Sequence, residues 1–135
     1  MVKPPYISDM TDEPTKPVAW VGSSKKDFRS FPDYVQDAMG FALYQAQIGV
    51  WHDSMKTMKG FGGGGVVELV ESHQGNAYRA VYTVRFEEAV YVLHAFQKKS
   101  KSGIKTPAQD IAMIKARLKL VEHHHQQHQI PKGRA

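Results

Sequence analysis

The sequence predicts an α+β domain in which helices pack on a mostly antiparallel sheet. Three observations carry that expectation. Apolar residues recur at helical spacing in two segments, around residues 35–46 and 108–121. Between them, three runs within residues 66–97 alternate apolar and polar side chains with period two. The connections between those runs are only a few residues long, which suits antiparallel neighbours and is too short for a parallel crossover. The expected order is β-α-α-β-β-β-α, with the helices on one face of the sheet.

Val18-Ala19-Trp20-Val21 forms a short apolar strand closed by Gly22. Ser23 or Ser24 is suited to cap a short helix, with Asp27 at capping-box spacing from Ser24. Pro32 opens a second helix, where its missing N–H costs nothing, and Asp33 complements the helix dipole. Val35, Ala38, Met39, Ala42, Leu43 and Ala46 give this helix its apolar face, and Gly49 ends it. Residues 50–65 read as an irregular, glycine-rich connection. Strands are expected at 66–71, 77–86 and 89–97, with His73-Gln74-Gly75-Asn76 and the Glu87-Glu88 region as turns. Thr106-Pro107-Ala108-Gln109 starts the last helix. Its apolar stripe is Ala108, Ile111, Ala112, Ile114, Leu118 and Val121, with Lys115, Arg117 and Lys119 pointing elsewhere.

The chain divides by composition into an extended, mobile arm at residues 1–16, a domain at 17–122 and a flexible His-rich tail at 123–135. Four of the seven prolines fall in the first 17 residues, and His123-His124-His125-Gln126-Gln127-His128 opens the tail. With no cysteine among 135 residues, disulfide frameworks and thiolate metal sites are excluded. No apolar run has the length of a membrane span, and the first residues lack the pattern of a secretory leader. A cytoplasmic protein without membrane contact is expected. The Gly60–Gly65 run satisfies G-x-G-x-x-G in form, but a loop precedes it and a strand follows, so it reads as a hinge. The histidine run reads as incidental chelation rather than a built metal site. Neither a metal nor a cofactor is expected.

Charge is uneven along the chain. Residues 1–50 hold five Lys/Arg and six Asp/Glu, whereas residues 51–135 hold thirteen and seven. Lys98, Lys99, Lys101 and Lys105 form the densest basic stretch. Such asymmetry favours an anionic partner, RNA among the candidates. Strand alternation places Tyr78, Ala80, Tyr82 and Val84 on one face, and Arg79, Val81, Thr83 and Arg85 on the other. A mid-strand arginine needs either a bound anion or a carboxylate partner, and Glu68 is positioned to supply the latter. In the last strand, Val90, Val92, His94 and Phe96 share a face, so His94 reads as a satisfied core histidine.

These motifs together resemble the RelE/HigB superfamily of toxins, in its phage-related HigB-like branch. The residues that carry the likeness run from Lys16-Pro17-Val18-Ala19-Trp20-Val21-Gly22 and Phe31-Pro32, through Gly40-Phe41-Ala42-Leu43-Tyr44-Gln45 and Met58-Lys59-Gly60-Phe61, to Tyr78-Arg79-Ala80-Val81-Tyr82. The most diagnostic are Phe96-Gln97-Lys98-Lys99 followed by Lys105-Thr106-Pro107 and a helix. The resemblance covers residues 16–120. It implies a RelE-like small domain and a toxin of a type II toxin–antitoxin module. Its implied activity is ribosome-dependent cleavage of mRNA without a metal, its partners the ribosome, mRNA and a cognate antitoxin of helix-turn-helix type. Transferred position by position, it assigns Arg79 to phosphate stabilisation and Lys98 and Lys99 to the transition state or rRNA docking. Glu68 orients Arg79 or transfers a proton, and Lys59 positions RNA, with Lys56, Arg85, Lys101 and Lys105 as further RNA contacts. The general base stays unassigned. The alternative is a relative that binds an antitoxin, gyrase or nucleic acid without cutting RNA.

Overall fold

The computed structural model describes residues 15–62, 65–98 and 106–134. Five strands form one sheet in the order β1-β5-β4-β3-β2. They are β1 (Val18–Trp20), β2 (Met55–Thr57), β3 (Val66–His73), β4 (Asn76–Thr83) and β5 (Val90–Lys98). The helices are α1 (Ser24–Arg29), α2 (Asp33–Gln47) and α3 (Ala108–Arg134). The α+β class and the mostly antiparallel sheet are as expected. β1 alone runs parallel to its neighbour, pairing Val18 with Val90 and Trp20 with Val92.

Local chemistry accounts for the joins. The β3–β4 hairpin turns on Gln74 and Gly75, both at positive φ (51° and 83°), the two left-handed positions a tight primed turn requires. Pro32 is the N-cap of α2, and Gly49 follows its end at φ 83°. Ser23 precedes α1 and donates to Asp27 Oδ2 at 2.8 Å. Buried Ser24 reaches instead to the Val92 carbonyl at 3.0 Å, tying α1 to β5.

The structure corrects the sequence reading in four places. First, residues 50–65 are not wholly irregular: β2 lies inside them and pairs antiparallel with β3. Second, helices cover both faces of the sheet. On one face Phe28, Val35, Met39 and Leu43 from α1 and α2 bury Leu69, Tyr82 and Val92. On the other, Ile114, Leu118 and Val121 from α3 bury Val66, Val81 and Leu93. The sheet therefore offers no bare arginine-bearing face. Both faces carry apolar residues, so each must be covered.

Third, the face assignment in β5 changes partway along. The β4–β5 pairing shifts between Val81, which faces His94, and Tyr82, which faces Val92. This β-bulge inserts one extra residue and inverts the alternation beyond it. His94 and Phe96 consequently share the α3 face with Arg79, not the face of Val90 and Val92. Fourth, the helix continues past His123, where a tail was expected, to Arg134. His125 helps hold the extension, packing on Phe86 at 4.8 Å between ring centroids and bonding Glu88 at 3.0 Å. The expected arm at residues 1–16 lies outside the described residues apart from its last two positions.

Candidate functional site

Register on the α3 face of the sheet brings together residues far apart in sequence. Arg79 pairs with Phe96 on one side and Val70 on the other, and Glu68 pairs with Val81 and Lys56. Arg79 and Glu68 are thus diagonal neighbours on adjacent strands. The Arg79 Nη1 donates to Glu68 Oε2 at 2.6 Å, with both side chains nearly buried, at 11% and 12% exposure. The hydroxyl of Thr106, just before α3, donates to the same carboxylate oxygen at 3.3 Å. Glu68 is therefore held from two sides, and it fixes one nitrogen of Arg79. The Arg79 Nε is buried and has no hydrogen-bond partner among the described residues. A buried donor left in that state costs about 1–3 kcal/mol unless a ligand meets it.

Lys98, opposite Ala77 at the end of β5, belongs to the same cluster and is only 6% exposed. Burial and the nearby Arg79 charge hold its ammonium below the ordinary lysine range, and Glu68 partly offsets them. Two cations and one carboxylate thus share a small area beside the start of α3. Lys56 and Lys59 are exposed near this face, Lys56 directly across from Glu68 and Lys59 in the turn after β2. Arg85 is not brought to the cluster. It lies past the far end of β4, where it donates to Glu122 at 2.9 Å and to the Phe61 carbonyl at 2.7 Å. There it ties α3 to the loop after β2. Lys99, Lys101 and Lys105 fall outside the described residues.

Alongside this cluster runs a second network that the sequence reading missed. His94 donates through Nε2 to Asp110 Oδ1 at 2.7 Å, and its ring stacks on Phe96 at 4.8 Å. Its Nδ1 faces the Arg117 Nη1 at 3.5 Å. Arg117, expected to point away, is 9% exposed and donates to the Leu93 carbonyl at 2.9 Å and to Ser23 Oγ at 3.0 Å. With both ring nitrogens engaged, His94 is the satisfied histidine expected, though on the opposite face. The signal for Arg117 was present in the sequence: it stands three residues after Ile114 and four before Val121, on the buried stripe. Thr106 had no such signal, because its partner is remote in sequence and met only through the fold.

The arrangement can hold an anion against Arg79 and Lys98, with a carboxylate adjoining. Among the described residues, no group of three or more acidic or histidine side chains is placed to hold a metal ion. No helix there is long and apolar enough to cross a membrane.

No curated protein matches the chain. Among solved structures, a mutant of Escherichia coli toxin RelE in the free state is similar in 61% of this chain and 82% of that one. The identity is 16% and the TM-score 0.48. The family model for phage-derived Gp49-like proteins matches residues 26–119, which hold both sheet faces and the whole Glu68–Arg79–Lys98 cluster. The chain belongs to the Gp49-like family of phage-derived proteins, a RelE/toxin-like family.

Proposed function

We propose that this protein is the toxin of a type II toxin–antitoxin module and cuts mRNA on the ribosome. The observation that supports it best is the buried Arg79 Nε, without a partner among the described residues, beside the ammonium of Lys98. A non-bridging phosphate oxygen satisfies that donor, and the two cations oppose the charge that builds on phosphorus during attack. The attack is by the adjacent 2′-oxygen: a bond from it to phosphorus forms, the bond to the 5′-oxygen breaks, and a 2′,3′-cyclic phosphate results. Glu68 orients Arg79 and accepts the 2′-OH proton, and Lys98 protonates the departing 5′-oxygen. A depressed lysine pKa suits that last role, since a weaker hold on the proton makes a better acid. Lys56 and Lys59 contact the RNA backbone around the cleaved bond, and Lys99, Lys101 and Lys105 extend that contact. Membership of a RelE/toxin-like family supports the reading, with an antitoxin as the inhibitory partner.

Primer extension on mRNA in a purified translation system tests it. New 5′ ends should appear with the intact protein. Arg79→Lys keeps the charge but loses the guanidinium fork, and should lower cleavage by about 100-fold, the usual cost of losing one charge-stabilising donor. The circular dichroism spectrum should be unchanged. One feature favours the non-cleaving alternative: Glu68 already occupies part of Arg79. If translating ribosomes yield no new ends while a folded protein still binds them, that alternative holds.

A further inference from the structure

The opposite face of the sheet carries a second candidate site that the cleavage chemistry does not use. Between the end of α2 and strands β2 to β4 lies a cavity of about 320 Å³. Tyr82 lines it at the base, fully buried, and Lys16, Val50, Trp51, Met55 and Val84 line it further out. The Tyr82 hydroxyl is buried and has no hydrogen-bond partner among the described residues. Burial pushes its proton far above the ordinary phenol range, so it is a fixed donor at every physiological pH. An apolar cavity with one unmet donor at its base is built for a mostly apolar group carrying an acceptor.

The rim indicates what brings that group. Trp51 is 58% exposed, and Val50 and Ile48 are exposed beside it. Phe41 and Tyr44 continue the apolar surface along α2, since positions 41, 44 and 48 fall on one helix stripe. The Phe41 ring meets His52 edge-on at 5.8 Å, which joins the stripe to the loop carrying Trp51. The apolar surface thus extends well beyond the cavity, further than a small molecule would cover. The charge at the rim is positive: Lys16 bonds the Phe86 carbonyl at 3.1 Å, with no carboxylate partner among the described residues.

From these observations we infer that this face docks a partner polypeptide, an amphipathic helix that places one bulky apolar side chain in the cavity and an acidic residue against Lys16. The site is separate from the Arg79 cluster, so its test does not depend on RNA cleavage.

The experiment uses the full chain and a 16-residue helical probe peptide with Leu and Phe on one face and Glu on its flanks. A second probe replaces each Glu with Lys. Binding is followed by Trp51 fluorescence and by amide chemical shifts. The Glu peptide should saturate, with the largest shifts at Val50, Trp51 and Val84, and the Lys peptide should bind at least tenfold more weakly. Trp51→Ala should weaken the Glu peptide at least tenfold, and Lys16→Glu should invert the preference between the two probes. Tyr82→Phe should weaken binding several-fold while raising the melting temperature, because it removes an unmet buried donor. The inference is overturned if neither peptide binds, or if both bind equally and Trp51→Ala changes nothing. It is equally overturned if only the small apolar anion anilinonaphthalene sulfonate enters the cavity. A dimer of the chain that Trp51→Ala dissociates would also overturn it, by assigning the face to a second copy.

Discussion

The two faces of the one sheet are stabilised by different means. Under α1 and α2 the buried side chains are almost all apolar, and Phe28, Phe31 and Tyr78 pack as a tilted aromatic series. Under α3, an apolar half at Ile114, Leu118 and Val121 adjoins a polar half built from Glu68, Arg79, His94, Asp110 and Arg117. The first face draws on area removed from water, which is insensitive to salt and to moderate changes of pH. The second depends on each charged group finding its partner, because an unpaired buried charge costs several kcal/mol. The second kind of face suits a phosphate site, because Arg79 and Lys98 are already held there together in a partly desolvated setting.

The sharpest way to break this contrast is Arg117→Met. Met retains most of the apolar stem but removes the donors to the Leu93 carbonyl and Ser23. The expected loss is about 2–4 kcal/mol, measured by chemical denaturation. A loss below about 0.5 kcal/mol would mean that α3 is held by its apolar stripe alone. Gly22→Ala probes the same network from the backbone. Gly22 sits at φ 59°, and an added Cβ would lie 2.8 Å from Arg117 Nε. Strain and displacement of the guanidinium together should cost about 1–3 kcal/mol. Alanine at half-buried Gly40 on α2 meets nothing within 4 Å. It should be neutral or stabilise by up to about 1 kcal/mol.

The smallest effect expected is one of titration. Lys98 should lose its proton below the ordinary lysine range, visible by NMR of the labelled side chain. The sign follows from its neighbours. Glu68→Gln removes a charge that favours the ammonium and should lower the titration point further, whereas Arg79→Met removes a repelling charge and should raise it. For stability, a lysine depressed in the folded state binds protons more tightly when unfolded. Its contribution therefore improves as pH rises through the interval between the two values.

Much of this architecture was legible in the sequence. Pro32 and Gly49 bracket α2, and the Gln74-Gly75 turn marks the β3–β4 hairpin, because each residue type answers a specific backbone demand. The Arg79–Glu68 pair could also be anticipated from alternation alone. Two features could not, and the signal for a third is masked by its charge. Met55-Lys56-Thr57 is too short to show a period, and becomes a strand only because β3 offers an edge. The bulge beside Val81 is a property of two strands together, so one strand's alternation assigns His94 to the wrong face. Arg117 carries a charge that suits a surface position, but its spacing from Ile114 and Val121 puts it on the buried stripe.

The placement of β1 has a consequence for synthesis. Among the described residues its one sheet neighbour is β5, near the other end of the domain, and the pairing is parallel. Trp20 and its companions therefore wait unpaired in a growing chain until residues 90–92 have been made and have left the exit tunnel. The β3–β4 hairpin, closed by two residues, can form well before then. The pairing pattern predicts that the hairpin forms first and the beginning of the chain is fastened last, and a translation product that stops before β5 lacks both the partner of β1 and Lys98.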